Sequence, residues 1–270
     1  MNIFTILLIQ PLTSGLILFY KILGGNLGLA IIGFSLFLRI ILNPLTKPYM
    51  ESMKKMKEFT PQLDRLKLKY KNDKQGLLKA QADFYKEKGI NPGAGCLPYV
   101  IQIIILIALF NVFISALSVN TDGVAKLNKL LYPPLRFANE QKLNTRFLYL
   151  DVTKPDSFSF PGVPFKIPGL ILILSALAQF VSAKMSAPLI SAEESVAKKT
   201  KDKTDDIQVS MQQSMIYTFP LFTLVFGLNF PSGLALYWLL FSLFQIWQQY
   251  TTSGWGGLTP WLKKFDLIKS

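Results

Sequence analysis

Five apolar runs of about bilayer-spanning length, the fourth somewhat short, constrain this chain more than any other feature. They extend from Leu29 to about Thr46 and over residues 97–117, 167–185, 215–230 and 234–250. About twenty consecutive apolar residues make a helix of bilayer length, and in hydrocarbon a helix is one of only two ways to satisfy every backbone N–H and C=O. The expected fold class is an all-α polytopic membrane protein. The first run includes FSLFLRIILNPLT at 34–46, with Arg39 near its middle. An arginine at a helix centre costs about 2.5–3.5 kcal/mol on insertion scales. Snorkelling relieves that cost best near a helix end, and Arg39 lies about two turns before Lys47. The reading adopted is that Arg39 faces a water-filled cavity between helices.

Its neighbours fit a polar cavity. Ser35 and Asn43 stand four residues before and after Arg39, so the three share one helix face. Gln102 and Asn111 sit in the second run, Gln179 and Ser182 in the third, and Ser242 and Gln245 in the fifth. Each alone fits an ordinary interhelical hydrogen bond; with Arg39 they suggest a hydrophilic groove. None of the five runs contains Asp or Glu. A cation without a carboxylate partner in a low-dielectric cleft attracts anionic groups from outside.

The formal net charge is +13, from 29 Lys and Arg against 16 acidic residues. In a soluble protein that balance would suggest nucleic acid. Here it follows a membrane pattern. Residues 47–95 hold 12 Lys and Arg, residues 188–210 hold 4 and the C-terminal tail 3, and Lys184 joins them. The other side holds 7 between residues 119 and 166, plus Lys21. The richer side is expected in the cytoplasm, which puts the N-terminus outside and the C-terminus inside. There is no histidine, and Cys96 is the single cysteine. An intrachain disulfide is excluded, and the commonest general base and metal ligand are missing. An enzyme is therefore not expected, nor is a cofactor or metal. Neither a P-loop nor another Gly-rich phosphate loop occurs. The apolar start lacks a basic n-region, so a cleaved signal peptide is not expected.

Residues 3–20 are apolar but interrupted by Gln10, Pro11, Thr13 and Ser14, and fit either a span or an interfacial helix. The basic 47–95 segment reads as a helical hairpin. Thr60-Pro61 fits an N-cap followed by proline at the first helical position, predicting a break near Pro61. YKNDKQG at 70–76 supplies the turn. Met50, Met53 and Met56 lie near the membrane end of this hairpin, where flexible thioethers suit varied apolar segments or ordinary hairpin packing.

These residues carry a family resemblance over nearly the whole chain. GNLGLAIIGFSLFLRIILNPLTKPYMESMKKM from Gly25 resembles the arginine-bearing first core helix of the YidC/Oxa/Alb membrane protein insertases. KYKNDKQG at 69–76, GINPGAGCLPYVIQ at 89–102 and FLYLDVTKPD at 147–156 resemble their hairpin, second-helix entry and outer loop. KMSAP, MQQSMIYTFPLF and FPSGLALYW resemble their last three helices. Where relatives often carry proline in the second helix this chain has Ile104-Ile105, and Phe241-Ser242 replaces a common Ser-Asn pair. The large outer β-domain of some bacterial relatives has no counterpart here. A long basic ribosome-binding tail also has none, which argues against docking through a tail.

The resemblance implies five transmembrane helices around a hydrophilic groove open to cytoplasm and lipid. Residues 1–22 become an interfacial helix on the outer face. The spans become 23–47, 96–118, 167–187, 211–230 and 231–250. Residues 48–95 form the cytoplasmic hairpin, 119–166 the extracytoplasmic loop, 188–210 a cytoplasmic loop and 251–270 a short tail. Arg39 resembles the groove arginine, Ser35 a polar neighbour, and Trp238 the aromatic facing the groove. Ser182 stands where many members carry Gln. The implied activity is insertion and folding of membrane proteins in a bacterial plasma membrane, alone or with the Sec translocon. Implied partners are nascent membrane proteins and lipids, with the Sec translocon and ribosome as candidates, no DNA, and a monomer as the working unit. The alternative is a small anion transporter or channel using Arg39.

Overall fold

The computed structural model describes residues 3–70, 73–89, 103–111, 123–138, 143–162, 164–186 and 203–266. Thr5–Ile9 form a π-helical turn that runs into α1, Gln10–Ile22. Pro11 has no N–H to give to the carbonyl four residues back, and a widened turn is the usual accommodation. The 18 residues Thr5–Ile22 are long and apolar enough to cross a membrane by length and composition, as are Leu27–Pro44. Leu170–Ser186 and Ile216–Gly227 are shorter apolar helices.

The remaining helices are α2, Leu27–Lys69; α3, Lys74–Glu87; α4, residues 103–111; α5, Gly123–Lys129; α6, Leu170–Ser186; α7, Lys203–Gly227; α8, Ser232–Ser253; and α9, Thr259–Lys264. Among the described residues, four two-residue strands make two antiparallel hairpins. β1, Arg146–Phe147, pairs with β2, Leu150–Asp151, and β3, Ser157–Phe158, pairs with β4, Ile167–Pro168. The chain divides into two compact units. One comprises Met1–Ile41, Tyr99–Gln179 and Thr218–Phe244; the other comprises Leu42–Pro98, Phe180–Tyr217 and Gln245–Ser270.

In the first unit, Gly24 and Gly25, at φ of 74° and 70°, turn the chain between α1 and α2, a conformation that costs glycine little. Phe19 of α1 then packs on Phe34 and Phe37 of α2, with ring centroids 5.8 and 5.3 Å apart. The segment from Asn144 to Asp156 supplies caps to three core helices. For α2, Asn144 O accepts from Leu27 N, and Asn26 Oδ1 accepts from Leu29 N. Asn26 Nδ2 in turn donates to Arg146 O. For α6, which has no acidic residue in its own first turn, buried Asp156 accepts from Leu172 N at 2.9 Å. The Tyr149 hydroxyl accepts from Ile171 N and donates to Asp156. Gly169 is required here, since a Cβ would collide with the Asp156 carboxylate. For α8, Lys154 O and Val152 O accept from Ser232 N and Gly233 N at 2.7 and 2.8 Å. A carboxylate at a helix N-terminus meets both orphan N–H groups and the positive end of the macrodipole.

In the second unit, α2 continues to Lys69 and turns into α3. Asp73 caps α3 by accepting from Gly76 N. Phe59 packs edge-on against Phe84 at 5.8 Å, and Leu63 is buried. The hairpin and its turn match the expectation, but the break near Pro61 does not: α2 is helical through Pro44, Pro48 and Pro61. A proline inside a helix costs about 3 kcal/mol, a local penalty that packing of Phe59 and Leu63 on its two flanks offsets. A second difference lies at 203–210, expected as loop and found as the first turns of α7. Neither Gly nor Pro falls between Lys203 and Phe219 to stop a helix there. Near the C-terminus, Trp261 of α9 packs on Phe180 of α6 at 6.3 Å, with Lys184 5.3 Å from its ring.

Candidate functional site

Within the first unit, α2 carries Arg39 to the face of Phe241 on α8. The guanidinium carbon lies 3.6 Å from the Phe241 ring centroid and 5.5 Å from that of Phe244. Nη2 also donates to Phe241 O at 3.4 Å, a long bond. Phe241 and Phe244 are three residues apart, so they share a helix face. A desolvated cation–π contact is worth about 2 kcal/mol, comparable with the insertion cost of the arginine. Neither an aromatic ring nor a peptide carbonyl cancels the charge. Ser35, one turn earlier, is buried and donates to Ile31 O of its own helix. Trp238 and Ser242, on α8 near Phe241, are buried too.

A second polar group in this unit joins α6 to α7. Thr223 Oγ1 donates to Gln179 Oε1 at 2.7 Å, with both residues buried. Among the described residues, Gln179 Nε2 meets no hydrogen-bond partner, nor does the buried Ser175 hydroxyl one turn before it. A buried polar group left unpaired costs about 1–3 kcal/mol.

In the second unit, Gln248 Nε2 donates to Asn43 Oδ1 at 3.0 Å. Ser182, on the last turns of α6, is buried. Met50, Met53 and Met56 fall on the helical backbone of α2, with side chains outside the described set. Gln102 lies outside the described residues.

Sequence reading singled out Arg39, Ser35, Asn111, Gln179, Trp238 and Ser242 in the first unit, and Asn43, Ser182 and Gln245 in the second. It missed Phe241, Phe244, Thr223, Ser175 and Gln248. An apolar aromatic in an apolar helix carries no sequence signal for a cation–π role. Ser175 was legible, standing four residues before Gln179.

Residues 18–255 match the family model described as 60Kd inner membrane protein. Among curated proteins, one named membrane protein insertase YidC from Fusobacterium nucleatum is 31% identical over 226 residues, covering 84% of this chain and 85% of the relative. Proteins of the same name from Chloroherpeton thalassium and Chlorobaculum parvum are 33% and 34% identical over 229 and 231 residues. This chain spans about a third of the length of those two relatives, 32% of each.

Proposed function

Because the chain belongs to the 60Kd inner membrane protein family, which is the YidC/Oxa/Alb family, we propose that it inserts membrane proteins into the bacterial inner membrane and helps them fold, alone or with a Sec translocon. The observation that carries the mechanism is the company Arg39 keeps. Its guanidinium rests on the ring and carbonyl of Phe241, partners that hold it in place and leave its charge uncancelled.

The chemistry required is translocation without covalent steps. A short polar tail, often acidic, must pass hydrocarbon while its apolar segment enters lipid. A hydrated groove shortens the apolar barrier, and a fixed cation gives acidic tail residues a transient partner. In this reading five helices line the groove. Arg39 holds the tail. The free amide N–H of Gln179 and the Ser175 hydroxyl offer hydrogen bonds to passing backbone. Asn43, Gln102, Ser182 and Trp238 complete the lining. The client's apolar segment leaves sideways along α2 and α8, and residues 1–22 lie in the outer interface. The hairpin methionines Met50, Met53 and Met56 receive apolar client segments at the cytoplasmic side.

The test is rescue of insertion in cells depleted of their own insertase, comparing wild type, Arg39→Ala and Arg39→Lys. The readout is protease accessibility of an acidic N-terminal tail on a small reporter. Rescue by Lys and failure by Ala is expected. Equal insertion by the Ala variant would overturn a role for the charge. Arg39-dependent anion flux in proteoliposomes, without reporter insertion, would replace the proposal with a transport function.

A further inference from the structure

The two hairpins present an apolar face that no described residue covers. Leu148 at the tip of the first hairpin is 78% exposed, and Phe165 in the second is 67% exposed. Phe158, Phe160 and Tyr149 are exposed beside them. Leu148 also sits at φ 53°, a left-handed conformation that Gly, Asn or Asp adopts more readily and that hairpin tips normally give to those residues. The protein thus keeps a strained and solvent-facing leucine where a small polar residue would fit better. The exposure is relieved if an apolar phase receives the side chain.

The charges around this face are sorted by sign. Between residues 143 and 168 the basic residues are Arg146, Lys154 and Lys166, and the acidic ones are Asp151 and Asp156. Both carboxylates are engaged locally, Asp156 by Leu172 N and Tyr149, and Asp151 by Thr153. The three basic side chains are exposed; Lys154 approaches Asp151 at 3.8 Å. The height of the face is fixed by the caps, because the same segment closes the N-termini of α2, α6 and α8, where their apolar lengths begin.

We infer that this face seats in the headgroup layer of the bilayer and takes anionic phospholipid as its ligand. Leu148, Phe158, Phe160 and Phe165 enter the acyl boundary, where amphipathic and aromatic residues anchor membrane proteins. Arg146 and Lys166 meet lipid phosphates. The inference rests on the membrane reading proposed above, and its test separates the two. The full chain with Cys96→Ser is spin-labelled at Leu148→Cys, Phe165→Cys or Ile40→Cys and reconstituted in phosphatidylcholine vesicles, with or without phosphatidylglycerol. Collision of the label with dissolved oxygen is compared with collision with a water-soluble nickel chelate. Labels at 148 and 165 are expected to favour oxygen, several-fold more so when phosphatidylglycerol is present. Arg146→Glu with Lys166→Glu is expected to abolish the lipid dependence. Preference for the nickel chelate at 148 and 165, with oxygen preference kept at 40, overturns this inference alone. Nickel preference at all three overturns the membrane reading itself. Exclusion of both reagents at 148 and 165 means that protein covers the face, and also overturns the inference. Oxygen preference indifferent to phosphatidylglycerol overturns the anionic ligand.

Discussion

The Arg39 guanidinium lies 3.6 Å from the face of the Phe241 ring while one of its nitrogens donates to the carbonyl of the same residue. One residue of α8 thus supplies both the quadrupole and the dipole that hold a cation in an apolar helix. Phe241→Leu is expected to cost about 2 kcal/mol of stability, whereas Phe241→Trp keeps the contact and costs less. Thermal unfolding in detergent, run as a double-mutant cycle with Arg39→Met, should give a coupling of similar size. Additive losses would separate the two residues energetically.

Gln179 and Thr223 make a sharper test because the expected signs differ. Thr223→Val strands the second polar end of Gln179 and should cost about 1–3 kcal/mol. Gln179→Met combined with Thr223→Val removes both partners and is expected to be neutral or stabilising. Reporter insertion should nevertheless fall in the double variant, which separates a role in passage from a role in packing.

The cap on α6 predicts a loss concentrated at one helix end. Asp156→Ala strands Leu172 N and should lower stability by about 1–3 kcal/mol. Hydrogen exchange at the amides of Ile171 and Leu172 should accelerate before that of the rest of α6. Tyr149→Phe removes one of the two acceptors and should speed exchange at Ile171 more than at Leu172. Burial first, and then the adjacent Asp156 carboxylate, push the Tyr149 hydroxyl up against the pull of the Ile171 N–H, so it keeps its proton and its donor role at neutral pH.

Asp151 gives the Asn144–Asp156 segment an acid limit. Burial would raise its carboxyl, but hydrogen bonds from Thr153 and Thr145 and the nearby Lys154 ammonium outweigh it and hold the group below the usual carboxylate range. A depressed folded-state value means stability present above the unfolded pKa and lost as pH falls through the folded one. Unfolding temperature should therefore drop on acidification below the ordinary carboxylate range. Asp151→Asn should flatten that portion of the curve while lowering stability at neutral pH.

Pro61 lies inside a continuous helix, and Pro61→Ala should stabilise the hairpin, by as much as about 3 kcal/mol. Slower exchange at amides around Phe59–Leu63 is the measurement. Faster exchange would mean that the proline at this position suits the local backbone better than alanine.

What could be read from the sequence followed contrast. Arg39 stands out because a charge interrupts an apolar run, and the hairpin turn because Asp73 and Gly76 have local chemistry. Phe241 was invisible: an aromatic among apolar residues looks the same whether it faces lipid or a cation. The cap of α6 was also hidden, since Asp156 comes from a hairpin rather than from the residues just before Leu170. Pro61 misled because the rule that proline ends a helix is local, whereas Phe59 against Phe84 is a contact across the hairpin.

The shared caps on α2, α6 and α8 have a mechanical consequence. Three legs pinned to one plate form a tripod: none can slide along its own axis without breaking backbone bonds to the Asn144–Asp156 segment. The freedom left to them within this unit is a tilt about their capped ends. Under the proposed insertion function, a client leaving between these helices passes by such tilting, and the stiffness of the Asn144–Asp156 segment sets how wide the opening becomes.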